Sequence, residues 1–96
     1  MYVKIHITGN RTITAICDEE LINKTFSQGK LILEITERFY KGEIMKEDKV
    51  LELMNNATNL NIVGKKAIKL AIKNNIINKE NVILIQNIPH AQLYQI

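Results

Sequence analysis

Hydrophobic and polar positions alternate from the start of the chain. In "YVKIHIT", Val3, Ile5 and Ile7 share one face and Tyr2, Lys4, His6 and Thr8 the other, the period of a half-buried strand. Gly9-Asn10 is a turn pair and "RTITAIC" resumes the extended pattern, so residues 2–17 are expected to form a β-hairpin. Asp18 then precedes "EELINKTF" as an N-cap, with Glu19 and Glu20 in a first turn where the helix dipole favours negative charge. This predicts a short first helix. After Gly29, "KLILEIT" alternates again, with Leu31, Leu33 and Ile35 inward, and "RFYKGE" turns the chain.

"KEDKVLELMNNA" carries Val50, Leu51, Leu53 and Met54 at helical spacing, with acids in its first turn but no capping side chain at Lys46. A further helix is expected from Asn61 to about Asn75, and "NVILIQ" reads as a buried strand. Pro89, the only proline, is expected to separate that strand from a last one, "HAQLYQI". The order is ββαβααββ over a single domain, residues 1–96. Mostly antiparallel strands with helices collected on one face give an α+β two-layer sandwich.

Composition fits this picture: 46% hydrophobic and 24% charged residues belong to an ordinary globular chain with one modest core. Apolar runs are too short to span a bilayer, and "MYVKIHITGN" lacks the apolar stretch of a signal peptide. A single cysteine, Cys17, excludes an internal disulfide, so a cytoplasmic location is expected. The net charge of +3 is unevenly distributed. Residues 17–60 carry nine acids against six bases, whereas Asn61 to Lys79 carry five lysines and no acid. That asymmetry points to a basic face meeting an anion.

The words "CDEELINKTF", "LEITERFYKGE", "NATNLNIVGKKAIKLAI" and "IPHAQLYQI", in this order, resemble the archaeal family called domain of unknown function 424 across nearly the whole chain. The resemblance implies an archaeal cytoplasmic protein with an α+β fold. It supplies no activity, cofactor or catalytic residue. Where an acidic cap would be expected before "KEDKVLELM", this chain has Lys46.

Several chemistries fall away on residue types and spacing. A structural zinc site needs four Cys or His ligands in spaced pairs, and only Cys17, His6 and His90 are present. No metal or cofactor is therefore expected. "NIVGKK" lacks the upstream glycine and the following Ser or Thr of a phosphate loop, which removes nucleotide hydrolysis. Adjacent Asp18, Glu19 and Glu20 point about 100° apart on a helix and do not share a site. A thiol site with Cys17, Asp18 and His90 is an alternative, because a cysteine just before a helix N-terminus can have a lowered pKa.

The lysines carry the main expectation. On a helix, Lys65, Lys69, Lys73 and Lys66 fall within an arc of about 100°, and the opposite arc is apolar. A free helix N-terminus at Asn61 and Gly64 would add unpaired amide donors. Arg38, followed by Phe39 and Tyr40, is the best aromatic-basic combination for stacking on bases. The expected function is a non-enzymatic module that binds RNA or a ribonucleoprotein through Asn61, Gly64, Lys65, Lys66, Lys69, Lys73 and Arg38. Two alternatives stand: an enzyme or small-ligand site around Cys17, Asp18 and His90, and a protein assembly adaptor using an open edge at "LYQI".

Overall fold

Strands β1 (Tyr2–Thr8) and β2 (Arg11–Cys17) form the expected hairpin, with Val3 opposite Ile16 and Lys4 opposite Ala15. The structure is a computed structural model and describes residues 1–94; Gln95 and Ile96, the end of the expected last strand, lie outside the described residues. After β2 the expected helix shrinks to a 3-10 turn, Glu19–Leu21. The reason is local. The Asp18 side chain makes no bond to that turn's amides, and Asn23 at φ 70° leaves helical conformation. "TFSQ" instead forms β3 (Thr25–Gln28), a second hairpin with β4 (Leu31–Glu34). Leu33 and Ile35 are buried as expected, whereas Leu31 is exposed.

Thr36 accepts from the Phe39 amide at 3.1 Å and so caps a one-turn helix, α1 (Glu37–Tyr40), where a plain turn was expected. The short β5 (Glu43–Ile44) pairs with the start of β1. Helix α2 (Glu47–Asn56) follows, burying Val50 and Met54 and lacking a side-chain cap at Lys46. The largest correction comes next. The residues expected to open a helix at Asn61 form strand β6 (Asn59–Val63), and helix α3 (Lys65–Lys73) begins only after Gly64. Leu60 and Ile62 alternate with Asn59 and Asn61, and the strand gains partners on both sides. Those partners are distant in sequence, so they outweigh local helical preference.

A second 3-10 turn (Lys79–Asn81) leads into β7 (Val82–Ile85) and β8 (Ile88–Tyr94). The turn between them is Gln86-Asn87, both at positive φ as a tight hairpin requires, and Pro89 lies inside β8 rather than between strands. Strand β7 is less buried than "NVILIQ" suggests, since Ile83 and Leu84 are exposed at the sheet's edge.

The six-stranded sheet runs β5-β1-β2-β6-β8-β7, antiparallel except for β2 beside β6. The fold is α+β with a mostly antiparallel sheet, and the β3-β4 hairpin forms a small second sheet. Alternation along β2 and β6 divides the interior. Ile16, Leu60 and Ile62 face α2 and α3, packing with Val50, Met54, Ala67, Ile68 and Ala71. Ala15, Cys17 and Val63 face the other way, packing with Leu21, Leu33, Ile35 and Tyr40. Both central strands are thus covered on two sides. Toward Asn59 and Tyr94, however, the second face opens into a cleft.

Candidate functional site

Helix α3 has the sequence "KKAIKLAIK", which buries Ala67, Ile68, Leu70 and Ala71 and leaves Lys65, Lys66, Lys69 and Lys73 exposed. The four lysines therefore share one outward face. Among the described residues the salt bridges join Met1 to Glu19, Lys41 to Glu37 and Lys49 to Glu52, so none of the four forms a salt bridge. Beside the helix runs a groove of about 420 Å³, lined by Ile68, Ile72 and Pro89 and by Lys65, Lys69, Lys73 and Lys79. The lysine stems cover apolar surface there while their ammonium groups remain in water.

The helix N-terminus is already occupied. Asp18, at the end of β2, accepts from the Lys66 amide through Oδ2 and from the Ala67 amide through Oδ1, both at 2.9 Å. It is 2% exposed. A free N-terminus that waits for a phosphate is thus corrected: the anion there is the protein's own carboxylate, brought from 48 residues upstream. Burial pushes the Asp18 carboxyl above its usual range, while the two amides and the Lys66 charge pull it back. Gly64 makes this approach possible. It lies at φ 114°, and a side-chain carbon there would stand 2.4 Å from the Asp18 carboxyl carbon. The glycine in "NIVGKK" therefore serves a carboxylate, not a nucleotide.

The thiol alternative fares poorly in geometry. Cys17 is buried, its Sγ donates to the Asp18 backbone carbonyl at 3.0 Å, and desolvation with the nearby acids pushes its pKa up to about 12. The expected lowering is reversed, because Cys17 lies in the strand and only Asp18 reaches the helix end. His90 stands two strands away in the same row, since Cys17 pairs with Val63 and Val63 with His90. Its Nε2 donates to Asn61 Oδ1 at 3.2 Å, and burial lowers its pKa. His90 therefore bonds to Asn61 and not to Cys17 or Asp18, whose own link is the thiol-to-carbonyl bond. Among the described residues, no cluster of three or more His, Cys, Asp or Glu side chains could hold a metal ion.

Asn61 and Arg38 also part from the lysines. Asn61 projects from β6 to the second face, where Oδ1 accepts from Tyr40 Oη at 2.5 Å as well as from His90. Arg38 lies in α1 on that same face, and its carbonyl accepts from Lys4 Nζ at 2.6 Å. As for the edge at "LYQI", β8 continues past the last β7 partner at Ala91, so Gln92 to Tyr94 pair with β6 alone.

These residues border a feature that the linear pattern did not reveal. A cleft of about 520 Å³ is lined by Ile13, Phe39, Asn59, Asn61, Gln92, Leu93 and Tyr94. Asn61 is directly opposite Gln92, and Asn59 opposite Tyr94. Phe39 forms one wall, its ring stacked on His6 at 4.6 Å between centroids. Only the strand reading of residues 59–63 could have exposed this, because it places Asn59 and Asn61 on one face.

Among the described residues no helix is long and apolar enough to cross a membrane. No curated protein matches the chain. The crystal structure of an uncharacterized conserved protein from Methanopyrus kandleri is similar, with a TM-score of 0.81 at 24% identity, covering 97% of this chain and 89% of that one. The likeness concerns the fold. A family model described as "Protein of unknown function (DUF424)" matches residues 5–96, and the chain belongs to that family.

Proposed function

We propose that this protein is a non-enzymatic module of the archaeal cytoplasm that binds RNA, free or within a ribonucleoprotein, through the lysine face of α3. One observation carries the reading: Lys65, Lys66, Lys69 and Lys73 stand exposed on one face without a salt bridge among the described residues. Because Asp18 fills the helix end, the lysine side chains alone meet the phosphates. Contact is then electrostatic, with little selection among sequences. The buried free Cys17 agrees with a reducing compartment, and the similar fold from Methanopyrus kandleri agrees with an archaeal source.

The test is affinity for a single-stranded RNA as a function of salt. Four phosphate contacts predict a log-log slope of about −3, at roughly 0.7 per contact. Lys69→Glu with Lys73→Glu is the informative double variant, because Lys66 lies beside Asp18 and its reversal would disturb the cap. It should abolish measurable binding with the thermal midpoint nearly unchanged. No binding at low salt, or equal binding by the double variant, defeats the proposal.

A further inference from the structure

The cleft on the second face has properties that the lysine helix lacks. All seven lining residues are neutral, so the cleft offers no counter-charge to a phosphate or carboxylate. Its polar groups are the amides of Asn59, Asn61 and Gln92 and the Tyr94 hydroxyl, beside the apolar surfaces of Phe39 and Ile13, whereas Leu93, opposite Leu60, packs its side chain against the core under α2 and α3. A volume of about 520 Å³ accommodates one small planar group between these surfaces.

Asn61 is the informative residue. A free amide presents either end to a ligand, but here Oδ1 accepts from both Tyr40 Oη and His90 Nε2. An amide oxygen only accepts, so this contact calls for the His90 tautomer that carries its proton on Nε2. The oxygen is thereby engaged and directed away from any ligand. What remains for the cleft is the NH2 group, which only donates. The Phe39 ring is likewise held in place, stacked on His6 and edge-on to Tyr40 at 4.8 Å. A fixed donor beside a fixed aromatic surface suits a flat ring that carries a carbonyl oxygen.

We infer that the cleft binds one nucleobase bearing a keto group, with Asn61 Nδ2 donating to the carbonyl, Asn59 and Gln92 pairing the base's other edge atoms, and Phe39 lining its side. The site is separate from the α3 lysines and does not rest on their role. The same base chemistry is offered by a free nucleoside and by an unpaired base in a strand.

The experiment is nuclear magnetic resonance of the 15N-labelled full chain, following the side-chain NH2 signals of Asn59, Asn61 and Gln92. Uridine, adenosine and an eight-base oligouridylate are added separately at equal base concentration. Uridine or the oligouridylate should shift the Asn61 signal, with adenosine roughly tenfold weaker, as one correct donor–acceptor match predicts. A response to uridine assigns the site to free nucleosides, and a response to the oligouridylate alone assigns it to a strand. Lys69→Glu with Lys73→Glu should leave the uridine response unchanged. Tyr40→Phe removes one of the two donors holding Asn61, so uridine and adenosine should approach equal affinity. Should that variant unfold, Asn61→Asp keeps an acceptor for Tyr40 and His90 but turns a second acceptor toward the cleft, which should reverse the preference. The inference is overturned if no ligand shifts these amides, if adenosine matches uridine in the native chain, or if Asn61→Asp leaves the preference as it was.

Discussion

At the scale of single residues, His90 links burial to pH. Burial lowers its pKa below the usual 6.5, so the unfolded chain takes up the proton before the folded one does. The sign follows: this contribution to stability is fully present above pH 6.5 and declines as pH falls from 6.5 toward the lowered value. Asp18 has the opposite sign, because its raised pKa makes protonation favour the folded state as pH falls through its own range. Denaturant unfolding of the native chain and of His90→Gln from pH 8 to pH 5 separates the two. Gln retains an N–H donor for Asn61 but does not titrate. The stability difference should be constant above about pH 7 and should change below it by at most about 1.4 kcal/mol per pH unit. A difference that stays flat to pH 5 contradicts a lowered His90 pKa. None of this was legible in the sequence, where "IPHAQ" has no titratable neighbour and Asn61 stands 29 residues away.

At the scale of elements, the hairpin of β1 and β2, the helix α2 and the lysine face of α3 were legible, because each rests on a local period or a turn pair. Strand β4 was legible too, in the alternation of "KLILEIT", but β6 and β3, and with β3 the second hairpin, were not. Leu60, Ile62, Val63 and Ala67 satisfy a helical spacing as well as a strand followed by a helix, and the deciding contacts come from β2 and β8. Asp18 was recognised as a cap but assigned to the following turn, since its true partners, Lys66 and Ala67, are 48 and 49 residues away. That junction is testable. Asp18→Ala leaves two helix amides without their carboxylate and should cost about 2 kcal/mol. Gly64→Ala should cost at least as much, because φ 114° is strained for alanine and its Cβ would collide with Asp18. In the double variant the collision is gone, so the combined loss should fall short of the sum by about 1 kcal/mol or more. Strict additivity in denaturant midpoints would show that the two residues do not act together.

At the scale of the whole molecule, one sheet carries two interiors. The core under α2 and α3 and the core under the β3-β4 hairpin and α1 share β2 and β6, whose side chains alternate between them. Neither layer can leave without exposing those strands, so cooperativity should extend across the sheet. The composition announced one modest core, and the division into two could not be read from it, because it depends on β6 being a strand. Met54, a fully buried residue of α2, and Leu33, the buried residue of β4 in the hairpin, are suitable reporters. Met54→Ala and Leu33→Ala should each cost about 2–5 kcal/mol, a large share of the total for a domain of this size. Far-ultraviolet circular dichroism follows the helices, and near-ultraviolet dichroism follows the aromatic residues, including Tyr40 in the second core. If the cores form one unit, both signals shift to the same lower denaturant midpoint in each variant. If instead Leu33→Ala moves the near-ultraviolet transition and leaves the helical one in place, the hairpin layer unfolds separately. The wall formed by Phe39 would then be lost before the lysine helix, and nucleobase binding would disappear at denaturant concentrations where α3 still holds its shape.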